Sequence, residues 1–221
     1  MEVEIRDGPA FAHLRVRLGP GESIIAESDA MASRTSNLEM KTRFNGGPVK
    51  GALRKVLGGE SLFINEFRCP AEETGGELVL TQRTPGDIRE IALDGDSLFL
   101  QPGAFIACEP SVELGLGYAG LGSFIGREGL FRLKVSGRGR VWMGAYGAIF
   151  TREVEDELVV DSGHLVAYEP TIALRAGMAG GIFSSFFSGE GLVTRVRGPG
   201  RIYLQTRSLG GLVAWTNSRI V

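Results

Sequence analysis

Histidine and cysteine are nearly absent from this chain: two of each in 221 residues, His13 and His164, Cys69 and Cys108. The cysteines lie far apart and lack Cys-x-x-Cys spacing. That excludes a disulfide framework and makes two buried free thiols the expectation. No His-x-His, His-x-x-x-His or cysteine cluster is present, so a cupin-like metal site would have only His13 and His164 to draw on, and no metal or other cofactor is expected. The Gly-x-Ser-x-Gly elbow of many serine hydrolases is missing, as is the P-loop lysine motif. No stretch approaches the ~18 apolar residues of a membrane span. The first residues, MEVEIRDGPAFAHLRVRL, lack the basic, apolar and small-residue regions of a signal peptide. A reducing cytoplasm fits this set of absences. Excess charge is missing too: 24 Lys+Arg against 26 Asp+Glu give a net charge of -2 and a pI near 5.8. A nucleic-acid binder needs basic charge over a wide surface, so nucleic acid is not an expected partner.

What the chain has in excess is glycine, 33 of 221 residues, roughly twice the usual ~7%. With 43% hydrophobic and 23% charged residues, the composition is that of a folded domain. The glycines punctuate an internal repeat. Gly59-Glu60-Ser61-Leu62-Phe63 returns as Arg127-Glu128-Gly129-Leu130-Phe131 and as Gly189-Glu190-Gly191-Leu192-Val193. Ahead of these stand Pro20-Gly21-Glu22-Ser23-Ile24-Ile25-Ala26-Glu27, Pro102-Gly103-Ala104-Phe105-Ile106-Ala107-Cys108-Glu109 and Ser162-Gly163-His164-Leu165-Val166-Ala167-Tyr168-Glu169. The last two run on into Pro110-Ser111-Val112 and Pro170-Thr171-Ile172. Behind stand Pro85-Gly86-Asp87-Ile88, Arg138-Gly139-Arg140-Val141 and Pro199-Gly200-Arg201-Ile202. Three elements in the same order three times predict a single domain over 1–221 built from three units, about 1–90, 91–150 and 151–221.

A Pro-Gly or Ser-Gly turn before a β-branched or aromatic run reads as a strand entrance. Leu130-Phe131-Arg132-Leu133-Lys134-Val135 and Leu192-Val193-Thr194-Arg195-Val196-Arg197 alternate in their later part, which predicts strands with one buried face and Arg or Lys on the other. Leu98-Phe99-Leu100 and Phe105-Ile106-Ala107 are more apolar, as where both faces are covered. The prediction is an all-β sandwich or closed β-structure with little helix. One short helix is expected over 49–57, with Val49, Leu53, Val56 and Leu57 on one face.

Each unit carries a glycine-rich insertion, and two of these hold large apolar residues: Phe124, Ile125, Ile182, Phe183, Phe186 and Phe187. Either they fold back and close the β-structure, or they form an assembly surface, or they meet a membrane or protein partner. Gly115-x-Gly117-x-x-Gly120 matches the dinucleotide fingerprint as a string, without the βαβ context that gives it meaning. The repeated Glu60, Glu128 and Glu190 read as turn carboxylates that accept backbone N–H bonds, a structural role. The run Glu153, Glu155, Asp156, Glu157 reads as a solvated turn. The late strands are rich in arginine, with Arg195, Arg197, Arg201 and Arg207. A solvated strand face is the plain reading for them, and an anion-facing stripe through Arg195, Arg197 and Arg201 the alternative.

The run Gly46-Gly47 … Gly51 … Leu53-Arg54 … Gly58-Gly59-Glu60-Ser61-Leu62-Phe63, with Pro85-Gly86-Asp87-Ile88 and Asp161-Ser162-Gly163-His164-Leu165-Val166-Ala167, resembles the motifs of the altered-inheritance-of-mitochondria type 24 family over nearly the whole chain. The resemblance implies a TRAP-like β-sandwich or double-stranded β-helix, a fold named for the tryptophan RNA-binding attenuation protein. Fold does not carry function. The mitochondrial member is associated with inner-membrane organisation, and no catalytic residue of the family maps onto this chain. The expected function is therefore a non-enzymatic scaffold that self-associates, as a trimer or a multiple, and meets a membrane surface or protein partner. A small-ligand module with a pocket in the β-structure is the alternative. RNA binding ranks last, since single strands want aromatic platforms in a basic groove.

Overall fold

A computed structural model describes residues 1–44, 63–101, 103–118, 131–178 and 192–220. The chain is all-β, with antiparallel sheets throughout and one short helix among the described residues. The helix expected over 49–57 lies outside them.

One set of pairings occurs three times. In the first, β2 (His13–Leu18), β3 (Ser23–Glu27), β4 (Met31–Arg34), β5 (Glu39–Phe44), β6 (Phe63–Arg68) and β7 (Gly76–Thr81) follow in order. The first and third strands flank the sixth, and the second and fourth flank the fifth. A preceding strand, β1 (Glu2–Arg6), extends this set along β2. The second set uses β8 (Ile88–Leu100), β9 (Phe105–Cys108), β10 (Val112–Tyr118) and β11 (Phe131–Gly144). Here β8 supplies the first and second strands and β11 the fifth and sixth, as two continuous ribbons. Their ladder is broken at Gly137 (φ 108°), which faces the two unpaired residues Gly95 (φ 86°) and Asp96. Both glycines occupy the left-handed region, where a side chain would be strained. The third set is β12 (Ile149–Val154), β13 (Glu157–Asp161), β14 (Leu165–Tyr168), β15 (Ala173–Met178), β16 (Leu192–Arg197) and β17 (Gly200–Gln205).

These registers correct two sequence alignments. The third strand of the first set is β4, whose Met31 faces Leu80 as Phe105 faces Met143 and Leu165 faces Leu204, so the counterpart of Phe105 and Leu165 is Met31 rather than a residue of β3. Likewise Gly76-Glu77-Leu78, not Gly86-Asp87-Ile88, is equivalent to Gly139-Arg140-Val141 and Gly200-Arg201-Ile202. Pro-Gly turns enter more than one strand of each set, so a short match slips by a whole strand. The unit boundaries move with it: those at 90 and 150 cut through β8 and β12.

Adjacent sets are joined by one recurrent pairing, the second strand of one with the third of the next. β3 pairs β9, and β8 pairs β14. Backbone bonds from Ala12 N–H to the Gly86 carbonyl (2.9 Å) and from Asp87 N–H to the Gly147 carbonyl (2.8 Å) repeat the relation at the first strands. The apolar cores cross the joints. Leu14, Val16, Leu78, Leu80 and Phe67 share a cluster with Ile106 and Trp142, and Val141 and Met143 share one with Val166 and Tyr203. Each large apolar side chain so buried contributes about 1.5–3 kcal/mol. β9 and β14 are buried at every residue, as expected for the run Phe105-Ile106-Ala107. Arg132 departs from the expected alternation. It is buried, while Arg195 and Arg197 stand exposed beside a fully buried Val196.

Candidate interaction surfaces

The described residues include no group of His, Cys, Asp and Glu that could hold a metal ion. His13, at the start of β2, has Nδ1 3.3 Å from an Asp7 carboxylate oxygen. His164 ends a single 3-10 turn (Ser162–His164) ahead of β14, with Nδ1 2.7 Å from the Gln205 carbonyl oxygen. Each histidine serves its own turn, and the two are not brought together by any pairing of their strands. Cys69 and Cys108 are buried and free. Burial pushes the Cys108 thiol up to about 12, with a smaller contribution from the Glu109 charge.

The loop residues Phe124, Ile125, Ile182, Phe183, Phe186 and Phe187 and the repeated Glu60, Glu128 and Glu190 lie outside the described residues. A turn-carboxylate role does appear, on other glutamates. Glu109 accepts from the Arg140 backbone N–H at 2.9 Å, and Glu169 from that of Arg201 at 2.9 Å. In the first set the Thr35 hydroxyl takes the same bond from Glu77 N–H, at 3.2 Å. The signal was in the sequence as Glu109-Pro110-Ser111 and Glu169-Pro170-Thr171, read there only as part of a repeat.

The late arginines do not form a bare cationic stripe. Arg195 and Arg197 both donate to Glu157, at 2.8 and 3.2 Å. Arg201 Nε donates to Glu153 at 2.7 Å, and that bond holds its guanidinium well above its ordinary range. The acidic run and the arginines, read separately in the sequence, face each other across β12–β17 and β13–β16. Such exposed pairs contribute little each to stability.

Exposed large apolar side chains concentrate near the C-terminal end of the described residues. Helix α1 (Leu209–Asn217) starts at Ser208, whose Oγ accepts the Gly211 N–H at 3.1 Å, an ordinary N-cap. None of its residues is buried. Leu209, Leu212 and Val213 are exposed, Trp215 is 57% exposed and the following Ile220 76%. Arg219 lays its guanidinium over the Trp215 ring, 4.3 Å from the centroid. Between α1 and the body lies a cleft of about 430 Å³, lined by Tyr146, His164, Arg207, Ser208, Leu212 and Trp215 among others. No helix among the described residues is long and apolar enough to cross a membrane. Neither α1 nor its exposure was anticipated. Its sequence, LGGLVAWTN, has two glycines and no amphipathic stripe.

These features define a class: an all-β protein of three successive antiparallel strand sets. The chain belongs to the family described as mitochondrial biogenesis AIM24, whose model matches residues 3–207. It is similar to an uncharacterised protein of Streptococcus pyogenes serotype M6, with 28% identity over 208 residues, 90% of this chain and 83% of the relative. The crystal structure of another Streptococcus pyogenes protein superposes with a TM-score of 0.78 at 25% identity, covering 99% of both chains.

Proposed function

We propose that this protein is a non-enzymatic scaffold that self-associates and docks on a membrane surface through its C-terminal segment. The observation that carries the reading is α1 with its flank: Leu209, Leu212, Val213, Trp215 and Ile220, all solvent-facing, with no acidic residue in the first turn and no basic one in the last. Five large apolar side chains exposed within one twelve-residue segment are unfavourable in water unless something covers them. Aromatic and aliphatic side chains bracketed by Arg207 and Arg219 suit the boundary between anionic headgroups and acyl chains. One nine-residue helix binds weakly, and self-association multiplies it.

The test uses the full chain. Co-sedimentation with vesicles of neutral or one-third anionic lipid is compared with that of the double variant Leu212→Ser, Trp215→Ser, and native mass is measured by light scattering. Retention on anionic vesicles that the variant loses, by an assembly of more than one copy, is the expected result. A folded monomer that ignores both vesicles overturns the reading.

The cleft beside α1 favours a second reading, the small-ligand module. Its volume falls in the range of ligand pockets, and His164, Arg207 and Ser208 give it polar handles. Native mass spectrometry of the purified protein tests it through any retained small molecule.

A further inference from the structure

Within the chain, a second strand meets the third strand of the next set twice, in the same register. Ile25 stands opposite Cys108 and Ala26 opposite Ala107. Phe99 stands opposite Tyr168 and Leu100 opposite Ala167. A third junction of this kind would need the second strand of the last set, β13, and the third strand of the first, β4. Among the described residues β13 pairs only with β16, and β4 only with β7. Each therefore presents one open edge, at opposite ends of the succession.

The burial of the two strands reflects the missing neighbour. β9 and β14 are buried throughout, whereas all four residues of the equivalent β4 are exposed. Val159, the β13 residue equivalent to Ile25 and Phe99, is 53% exposed, although both counterparts are partly covered. β4 has the same four-residue length as β9 and β14, so the open site matches the junction already built twice.

We infer that β13 of one copy pairs antiparallel with β4 of a second copy, Val159 opposite Arg34 and Val160 opposite Ser33, so that copies join head to tail. The inference rests on the self-association proposed above and names the surface that performs it. Charge supports this pairing over the alternatives. Arg34 would sit between Glu157 and Asp161, which flank Val159 on the same face of β13, at diagonal positions that long side chains reach. Two β13 strands paired about Val159 would instead set Glu157 against Asp161, carboxylate against carboxylate, which is unfavourable. The interface is heterologous, since each copy offers two different edges. It either closes into a ring or continues as a filament.

The experiment measures native mass and covalent capture on the full chain. Val159→Lys replaces an exposed side chain and sets a cation against Arg34, so it should leave the circular dichroism unchanged and shift the assembly about two- to fivefold toward monomer. A Val159→Cys chain mixed with an Arg34→Cys chain should give a disulfide-linked heterodimer under mild oxidation, and neither variant alone should do so. A wild-type assembly whose mass survives Val159→Lys, with no mixed disulfide, overturns the edge pairing and leaves self-association standing. A wild-type monomer at every concentration overturns both.

Discussion

Glu109 accepts two bonds from Arg140, one from the backbone N–H at 2.9 Å and one from Nε at 2.8 Å. It thereby locks the entrance of β10 to the second half of β11. Backbone bonds on either side complete the joint: Glu109 N–H to the Arg140 carbonyl at 2.9 Å, and Val112 N–H to the Glu109 carbonyl at 3.0 Å. The third set has the same joint, Glu169 N–H to the Arg201 carbonyl and Ile172 N–H to the Glu169 carbonyl. Thr35 and Leu38 hold the corresponding places in the first.

Replacing Glu109 by Ala removes the acceptor from a partly buried guanidinium and from a backbone N–H. Bonds to charged groups contribute more than neutral ones, so the expected loss is about 2 kcal/mol. Glu169→Ala should cost less, because Arg201 Nε is already held by Glu153. Urea denaturation midpoints of the two variants check the order, and an equal loss would contradict it.

The same joint excludes side chains at Gly139 and Gly200. Their φ angles, 144° and 152°, lie where L-residues are strained. A Cβ on Gly139 would meet Ser111 Oγ at 2.6 Å, and one on Gly200 would meet Thr171 Oγ1 at 2.5 Å. Gly139→Ala and Gly200→Ala should each destabilise by roughly 1–3 kcal/mol. Gly21→Ala is the control for backbone strain alone, since φ there is 77° and nothing lies within 4 Å of the added carbon. Thermal melts of the three variants separate steric clash from strain.

The all-β class was legible because Pro-Gly and Ser-Gly turns precede apolar runs, and the burial of β9 because Phe105-Ile106-Ala107 has no polar alternation. Register was not legible. A strand entrance in one set looks like another a strand away, which is how β3 was matched to β9 when β4 is its equivalent. The facing of Glu153 and Glu157 toward Arg201, Arg195 and Arg197 depends on that register and was invisible for the same reason. Helix α1 escaped because its glycines weaken helix propensity, and its start rests on a cap at Ser208 rather than on a periodic stripe. The open edges of β4 and β13 are a property of which strand lies beside which, and composition does not encode that directly.

The two tryptophans sit in opposite environments. Trp142 is fully buried, with Nε1 donating to Glu90 at 3.0 Å, while Trp215 is 57% exposed on α1. Acrylamide should therefore quench two populations. Trp215→Phe should remove the readily quenched, red-shifted component and leave the blue-shifted one. Unfolding should merge them. Anionic vesicles should shift only the Trp215 component toward the blue if α1 is the docking element, and a spectrum unchanged by lipid would count against that role.

Burial keeps Cys108 protonated, with its thiol pushed up to about 12. The thiolate is the reactive form. Neither Cys108 nor the equally buried Cys69 should react with a disulfide reagent in the native protein at pH 8. Both should react once denaturant crosses the unfolding midpoint. The rate against denaturant concentration then reports global opening, and fast native labelling of either thiol would show a local opening of the core instead.

Glu157 ties β13 to β16. The hydrogen bond from Arg195 holds its carboxyl below the usual carboxylate range, and that from Arg197 adds to the effect. A carboxyl whose pKa is lowered by folding adds stability that is fully present above its unfolded value, near 4.5, and is lost as pH falls through the folded value. The denaturation midpoint should therefore stay level from neutral pH down to about pH 5 as far as this group is concerned, and fall below it. Glu157→Gln should lower the midpoint at pH 7 and flatten the acid limb, so that the gap between variant and wild type narrows as pH falls below about 4.5 and through the folded value. Parallel curves, equally separated at pH 7 and at the acid end of the titration, would assign the loss to packing rather than to the charge.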